Sequence, residues 1–141
     1  MQQRSTSSLG RQGEDLAVKY LEAKGYRILK RNYTTRFGEI DVIASWSAAQ
    51  NSERLVFVEV KLRRNRHYGY PEESITLKKL HHLILASQDY LQKHLLEDSD
   101  WQIDVISIEM KEDHNPEIIH LENVTASLAI NHCGDLYGKK R

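Results

Sequence analysis

Gly38-Glu39-Ile40-Asp41-Val42-Ile43-Ala44 and, after one loop, Leu55-Val56-Phe57-Val58-Glu59-Val60-Lys61 are the stretches on which the fold turns. Both are rich in β-branched and apolar residues and read as strands of a sheet interior. Each also carries charge where such a strand should carry none. A carboxylate or ammonium left alone in an apolar interior is more than a domain's stability margin tolerates, unless it is paired or bound to a cation. Asp41, Glu59 and Lys61 therefore need partners.

Outward from these strands, the pattern changes period. Before them, Leu9, Gly13, Leu16, Ala17, Tyr20 and Leu21 recur at three- and four-residue spacing. That predicts a helix with Ser8 as N-cap and Gly25 as its stop. Gly13 lies near the centre of the stripe, where another backbone could approach closely, and Glu14 borders the buried face. A short strand is expected over 26–32, then a turn through Thr34, Thr35 and Arg36, then strands 38–44 and 55–62 around a polar loop. After the basic stretch 63–71, Leu77, Leu80, Ile84, Ser87, Leu91 and Leu95 predict a second helix capped by Ser74 or Thr76. Strands over 102–110 and 117–124 complete an α-β-β-β-α-β-β order, a mixed sheet flanked by two helices. The expected organisation is a flexible N-terminus over 1–8, one domain over 9–124 and a mobile C-terminal tail over 125–141.

Bulk composition narrows the class. The 141 residues suit a single core. Lys plus Arg and Asp plus Glu both number 20, so any affinity for a polyanion must come from local clustering. A single cysteine, Cys133, excludes an internal disulfide and points to a reducing compartment. No apolar run nears the roughly 20 residues that span a bilayer, and 1–8 lacks a secretory apolar core. A cytoplasmic protein without membrane association is expected. The seven histidines form no ligand set: His81 and His82 are adjacent on a helix, and no H-E-x-x-H occurs.

Residues two apart on a strand share a face, roughly 6.6–7 Å apart. Glu59 and Lys61 thus project together, as do Glu39 and Asp41, and a hairpin between the two strands would set Asp41 beside Glu59. Two carboxylates with water-filled gaps suit Mg²⁺, which keeps several waters and takes few protein ligands. Such an ion polarises a phosphate and lowers the pKa of a bound water, while a neighbouring lysine steadies the hydroxide or the developing charge. A Glu-x-Lys pair taken singly is more often a solvated, salt-bridged face. Its interruption of an apolar run, the second interruption at Asp41 and the border position of Glu14 favour a site.

Gly13-Glu14, Gly25-Tyr26, Arg31-Asn32, Gly38-Glu39-Ile40-Asp41, Val58-Glu59-Val60-Lys61, Gly69-Tyr70-Pro71 and Tyr90-Leu91 together resemble the YraN family. That family is a bacterial group of predicted endonucleases, similar to archaeal Holliday-junction resolvases, with the restriction-endonuclease-like fold. The resemblance spans about 9–124. It implies a PD-(D/E)xK site that binds Mg²⁺ or Mn²⁺, with Glu14, Asp41 and Glu59 as the acidic residues and Lys61 as the lysine. Ile40 stands where the motif's name has proline, and 125–141 has no counterpart. The resemblance further implies a nuclease acting on DNA, plausibly branched or structured. Junction-cutting relatives act as dimers, so a homodimer is in keeping with it. The alternative is a non-catalytic nucleic-acid-binding or adaptor domain on the same fold.

Other charged residues are assigned around that site. Arg63, Arg64, Arg66 and His67 follow it directly and would neutralise phosphates without reading sequence, while Tyr68 and Tyr70 could stack on exposed bases. A solvated loop is the competing reading. Lys78 and Lys79 are expected to be solvated, Glu39 to pair with Arg36, Asp104 to be structural, and Gln88 and Asp89 to be exposed.

Overall fold

The computed structural model describes residues 8–49, 52–63, 75–111 and 115–126. It contains helix α1 (Ser8–Ala23), strands β1 (Arg27–Thr35), β2 (Gly38–Ser47) and β3 (Glu53–Arg63), helix α2 (Leu77–Lys93), and strands β4 (Trp101–Glu109) and β5 (Glu117–Leu121). The five strands form one mixed sheet in chain order, β1-β2-β3-β4-β5. The β3–β4 pair is parallel, with α2 as its crossover, and the other pairs are antiparallel. The α/β class and the element order expected from the pattern are both present.

The sheet divides the core into two layers, following side-chain alternation along the strands. Leu55 and Phe57 of β3 join Leu80, Leu83, Ala86, Tyr90 and Leu91 under α2. Val56 and Val58, which point the other way, join Ala17 and Leu21 of α1. Burial on both faces is why β2 and β3 read as near-continuous apolar runs.

The termini of the helices follow their local chemistry. Thr76 caps α2, its hydroxyl accepting from the Lys79 N–H at 3.0 Å. Gly25, at φ 96°, turns the chain out of α1, and the Tyr26 N–H closes the end on the Leu21 carbonyl. Four expectations need correcting. Ser8 is the first residue of α1, not a cap outside it. The buried stripe of α2 runs through Leu80, Leu83, Ala86, Ser87, Tyr90 and Leu91, leaving Leu77 42% and Leu95 84% exposed. The helix stops at Lys93 and Leu95 takes φ 57°, so it cannot continue the stripe. Asp89 is not simply solvated, because its carboxylate accepts from the Tyr33 hydroxyl at 2.9 Å. Strand β5 ends at Leu121, and Val124, expected as its end, is buried in a helical turn over 124–126. No described helix is long and apolar enough to cross a membrane.

Candidate active site

The β2–β3 ladder ends at Val42–Val58. Asp41 and Glu59 occupy the next position, where the two strands part. The reason is local: the Val60 N–H donates to the Asp41 side chain (Oδ2, 2.8 Å) in place of a backbone carbonyl. On the other side of β2, the β1 register pairs Arg31 with Val42 and Tyr33 with Ile40, and Asn32 between them adopts φ 57°. That left-handed conformation is one asparagine tolerates better than most residues. Alternation in β2 also breaks here, since Ile40 packs in the α2 layer and Val42 in the α1 layer. Asp41 thus sits at a notch between the layers, and β3 runs on beside β4 as far as Arg63–Glu109.

Three further acidic groups surround the notch. Glu59 is buried, with only 5% of its surface exposed. Glu14 is brought in by α1, which approaches β3 closely because Gly13 has no side chain: a Cβ there would lie 3.1 Å from the Leu62 Cβ. Glu39 precedes Asp41 on β2. Burial first, then the charge of Glu59, and more weakly those of Glu14 and Glu39, push the Asp41 carboxyl up to about 7, against the one opposing hydrogen bond from Val60. That shift records four acidic groups held near one another.

The positive groups are arranged around their rim. Lys61 Nζ lies 3.6 Å and Lys79 Nζ 3.5 Å from Glu59 Oε2. Arg31 lies 3.6 Å from Glu14 and 2.8 Å from Asp15, and its Nε is buried without a hydrogen-bond partner among the described residues. Both lysines are more than a third exposed, so their charge remains available to an incoming anion.

The structure therefore brings together Glu14, Asp41, Glu59 and Lys61. Of the basic stretch, Arg63 ends β3, while Arg64, Arg66, His67, Tyr68 and Tyr70 lie outside the described residues. Two participants were missed: Arg31, and Lys79, which had been expected to be solvated. Phasing the α2 stripe on Leu83, Ala86 and Tyr90 places Lys79 one turn before Leu83, at the edge of the buried face. A stripe that starts at Leu77, apolar yet exposed, turns Lys79 away from the buried face. Asp104, expected to be structural, is buried on β4 in register with Val58, hydrogen-bonded to Gln102, His120 and Asn123.

The donor set can be tested for a divalent ion. Among the described residues no three Asp, Glu, His or Cys side chains gather as a preformed ligand group. Asp41 and Glu59 form a pair of oxygen donors, one of them destabilised in its charged form by its neighbours. A pair of carboxylates completed by water fits Mg²⁺ or Mn²⁺, and a dication would relieve the repulsion that raises the Asp41 carboxyl.

A model of "Uncharacterised protein family UPF0102" matches residues 13–108. The chain belongs to this family. The YraN resemblance is thereby established at family level. A UPF0102 protein of Persephonella marina is 44% identical over 81% of this chain and 90% of its own length. One from Alkaliphilus oremlandii is 43% identical, over 82% and 95%. Among solved structures, Pyrococcus furiosus SfsA in complex with Ca²⁺ aligns with 81% of this chain and 62% of that one, at 20% identity and a TM-score of 0.35. A likeness that loose transfers neither fold nor function. The family match covers Gly13 to Lys61, and so includes the whole notch.

Proposed function

We propose that this UPF0102 protein is a divalent-metal-dependent endonuclease that hydrolyses phosphodiester bonds of DNA, plausibly branched or structured. The observation that carries the reading is the placement of half-buried Asp41 beside buried Glu59, at the point where β2 and β3 separate, with Lys61 and Lys79 within 3.6 Å of Glu59; the crowding pushes the Asp41 carboxyl up to about 7. Apolar packing would have removed such a group had it no purpose, because its charged form is disfavoured by both burial and neighbours. In this reading Asp41 and Glu59 hold the ion. Bound there, Mg²⁺ or Mn²⁺ would polarise a phosphate and make a water nucleophilic near neutral pH.

The remaining residues act directly. Lys61 and Lys79 offer two ammonium groups to the scissile phosphate and to the charge that develops on it. Glu14, already paired with Arg31, keeps the local potential negative and helps to retain the cation. Arg63, at the end of β3, and Arg64, Arg66 and His67, which follow it in the sequence, are suited in this reading to phosphates regardless of base sequence. A second reading, a DNA-binding or adaptor domain without catalysis, is favoured by two features: Glu14 and Glu59 are already ion-paired, and no three-residue ligand group is preformed among the described residues.

Incubation with labelled duplex, flap and four-way-junction DNA in Mg²⁺ or Mn²⁺ separates the two. Metal-dependent cutting that Asp41→Asn abolishes, and that Lys61→Ala reduces by about a hundredfold or more, fits the size of a lost electrostatic group. Salt-sensitive binding that persists in EDTA and in Asp41→Asn, with no cutting of any substrate, would establish the adaptor instead.

A further inference from the structure

The opposite end of the sheet holds a cavity of about 550 Å³ whose chemistry the carboxylate notch does not use. It opens where α1 ends, on the α1 side of the strand ends. Lys24, Tyr26, Trp46, Arg54, Gln102 and Glu122 are among its lining residues. Its floor is organised by one buried carboxylate. Asp104, fully buried, accepts from the Gln102 side chain at 2.8 Å and from the Asn123 N–H at 2.9 Å, and lies 2.7 Å from His120 Nε2. The Gln102 carbonyl in turn accepts from Arg54 at 2.9 Å. This chain fixes the Arg54 guanidinium through a neutral amide, and no carboxylate among the described residues forms an ion pair with it. Arg54 thus lines the cavity without a carboxylate in ion-pair range among the described residues.

Lys24 is in a similar position. Its ammonium lies 3.4 Å from the Tyr20 hydroxyl and 5.4 Å from that ring, with no described carboxylate in ion-pair range. Neighbouring Arg27 is different, since Glu53 holds it at 3.2 Å. The same cavity is lined by two aromatic rings, and Trp46 lies directly across the ladder from Arg54. Tyr26 and Trp46 have centroids 6.2 Å apart and planes tilted by 37°, and Trp46 is 39% exposed, an unusual amount for so large an apolar side chain on a rim. Tyr26 keeps its proton as a hydrogen-bond donor, because burial, then Asp104, Glu122 and Tyr20, push its phenol up to about 12.

Two cations without an ion-pair partner among the described residues and an exposed indole, lining one space large enough for a drug-sized ligand, define a narrow chemistry. We propose that this cavity binds a nucleobase carrying a phosphate, with the base stacked on Trp46 and the phosphate held by Arg54 and Lys24. The ligand comes either from a free nucleotide or from the end of a single strand, and the inference does not rest on the nuclease reading. Arginine presents a planar fork to phosphate and lysine a point charge, so the pair can grip a terminal phosphate from two sides. Glu122 is the one acidic lining group, and it opposes phosphate while offering an acceptor to an exocyclic amine.

Full-length protein in EDTA, which silences the carboxylate notch, is titrated with 5′-mononucleotides, with 5′-phosphorylated oligonucleotides and with inorganic phosphate. Tryptophan fluorescence and calorimetry report binding. The expected result is 1:1 binding weakened roughly tenfold or more by Trp46→Ala, in line with the loss of one base–aromatic stack, and comparably by Arg54→Gln. Exposed Lys24→Gln serves as a second variant free of folding effects, and Asp41→Asn should bind as wild type does. Mononucleotide binding identifies the free nucleotide as source; binding of oligonucleotide only, with the same variant dependence, identifies a strand end. The proposal is overturned if neither ligand binds, if inorganic phosphate binds as tightly as the nucleotides, or if Trp46→Ala, Arg54→Gln and Lys24→Gln all leave affinity unchanged.

Discussion

Asp41 and Asp104 are both acidic residues on interior strands, and the protein treats them in opposite ways. Asp104 is completely enclosed and meets three partners: the Gln102 amide, the His120 ring and the Asn123 N–H. Asp41 meets one donor, the Val60 N–H, and three acidic neighbours, Glu59, Glu14 and Glu39. Burial disfavours a carboxylate in both places. At Asp104 hydrogen bonds offset it, so the residue is part of the scaffold. At Asp41 the offset is incomplete, so the residue is suited to recruiting a cation.

The largest consequence is in stability. Asp104→Ala strands the donors of Gln102 and Asn123 and the ring of His120 in the interior, at about 1–3 kcal/mol for each unmet group. An overall loss on the order of 3–5 kcal/mol is expected, lowering Tm by about 10–20 °C in a thermal melt. Asp41→Asn keeps an acceptor for Val60 and removes the repulsion, so in EDTA at pH 8 its Tm should equal or exceed that of the wild type. Equal losses in the two variants would erase the contrast and make Asp41 a scaffold residue too.

Divalent ions test the same contrast next. Mn²⁺ or Mg²⁺ at a hundred times its Kd should stabilise the wild type by about 2.7 kcal/mol, and Asp41→Asn by nothing measurable. Calorimetric titration of both proteins provides the Kd directly. Asp104 variants that remain folded should still bind the ion, since the hydrogen bonds of Asp104 go to Gln102, His120 and Asn123 and none goes to the notch.

The pH dependence follows from the Asp41 carboxyl, which sits near 3.8 in an ordinary environment and about 7 in the fold. Between those values the native protein retains a proton that the unfolded chain has released. Its contribution is therefore greatest below about pH 4 and declines as pH rises through 7. Urea titrations at pH 5, 6, 7 and 8 in EDTA should show the wild type losing stability relative to Asp41→Asn across that window, by an amount on the order of 2–4 kcal/mol. Saturating Mn²⁺ should flatten the slope, because the ion replaces the proton. A wild type and variant with parallel pH profiles would mean the Asp41 carboxyl is not raised at all.

The strands around these carboxylates were legible because the sheet is covered on both faces. Val56, Phe57 and Val58 are apolar in succession, so Glu59 stood out against them. Asp104 interrupts an equally apolar run, Ile103-Asp104-Val105-Ile106, and what distinguishes it from Asp41 is its partners His120 and Asn123, which are distant in sequence and meet it through the fold. Lys79 is not legible from the α2 pattern, because Leu77 and Leu95 are apolar yet exposed and suggest a stripe that excludes it. The break in β2 was also illegible: Ile40 and Val42 share a face in any regular strand, and only the Asp41–Val60 hydrogen bond separates them. Pattern reading finds periodic burial; it does not find the place where a side chain interrupts a ladder.

The smallest effect expected is at Gly13, and it probes how Glu14 reaches the notch. Alanine in a helix is favoured over glycine by roughly 1 kcal/mol. Here the added Cβ would stand 3.1 Å from the Leu62 Cβ, which belongs to the β3 scaffold and has to yield by a few tenths of an ångström. The two effects oppose one another, so Gly13→Ala should shift Tm by only a few degrees. The helix moves outward all the same, taking Glu14 away from Asp41 and lessening the negative potential there. Affinity for Mn²⁺ should then fall severalfold in a calorimetric titration while the fold persists. Unchanged affinity would remove Glu14 from the electrostatics of the notch and leave Asp41 and Glu59 to hold the ion between them.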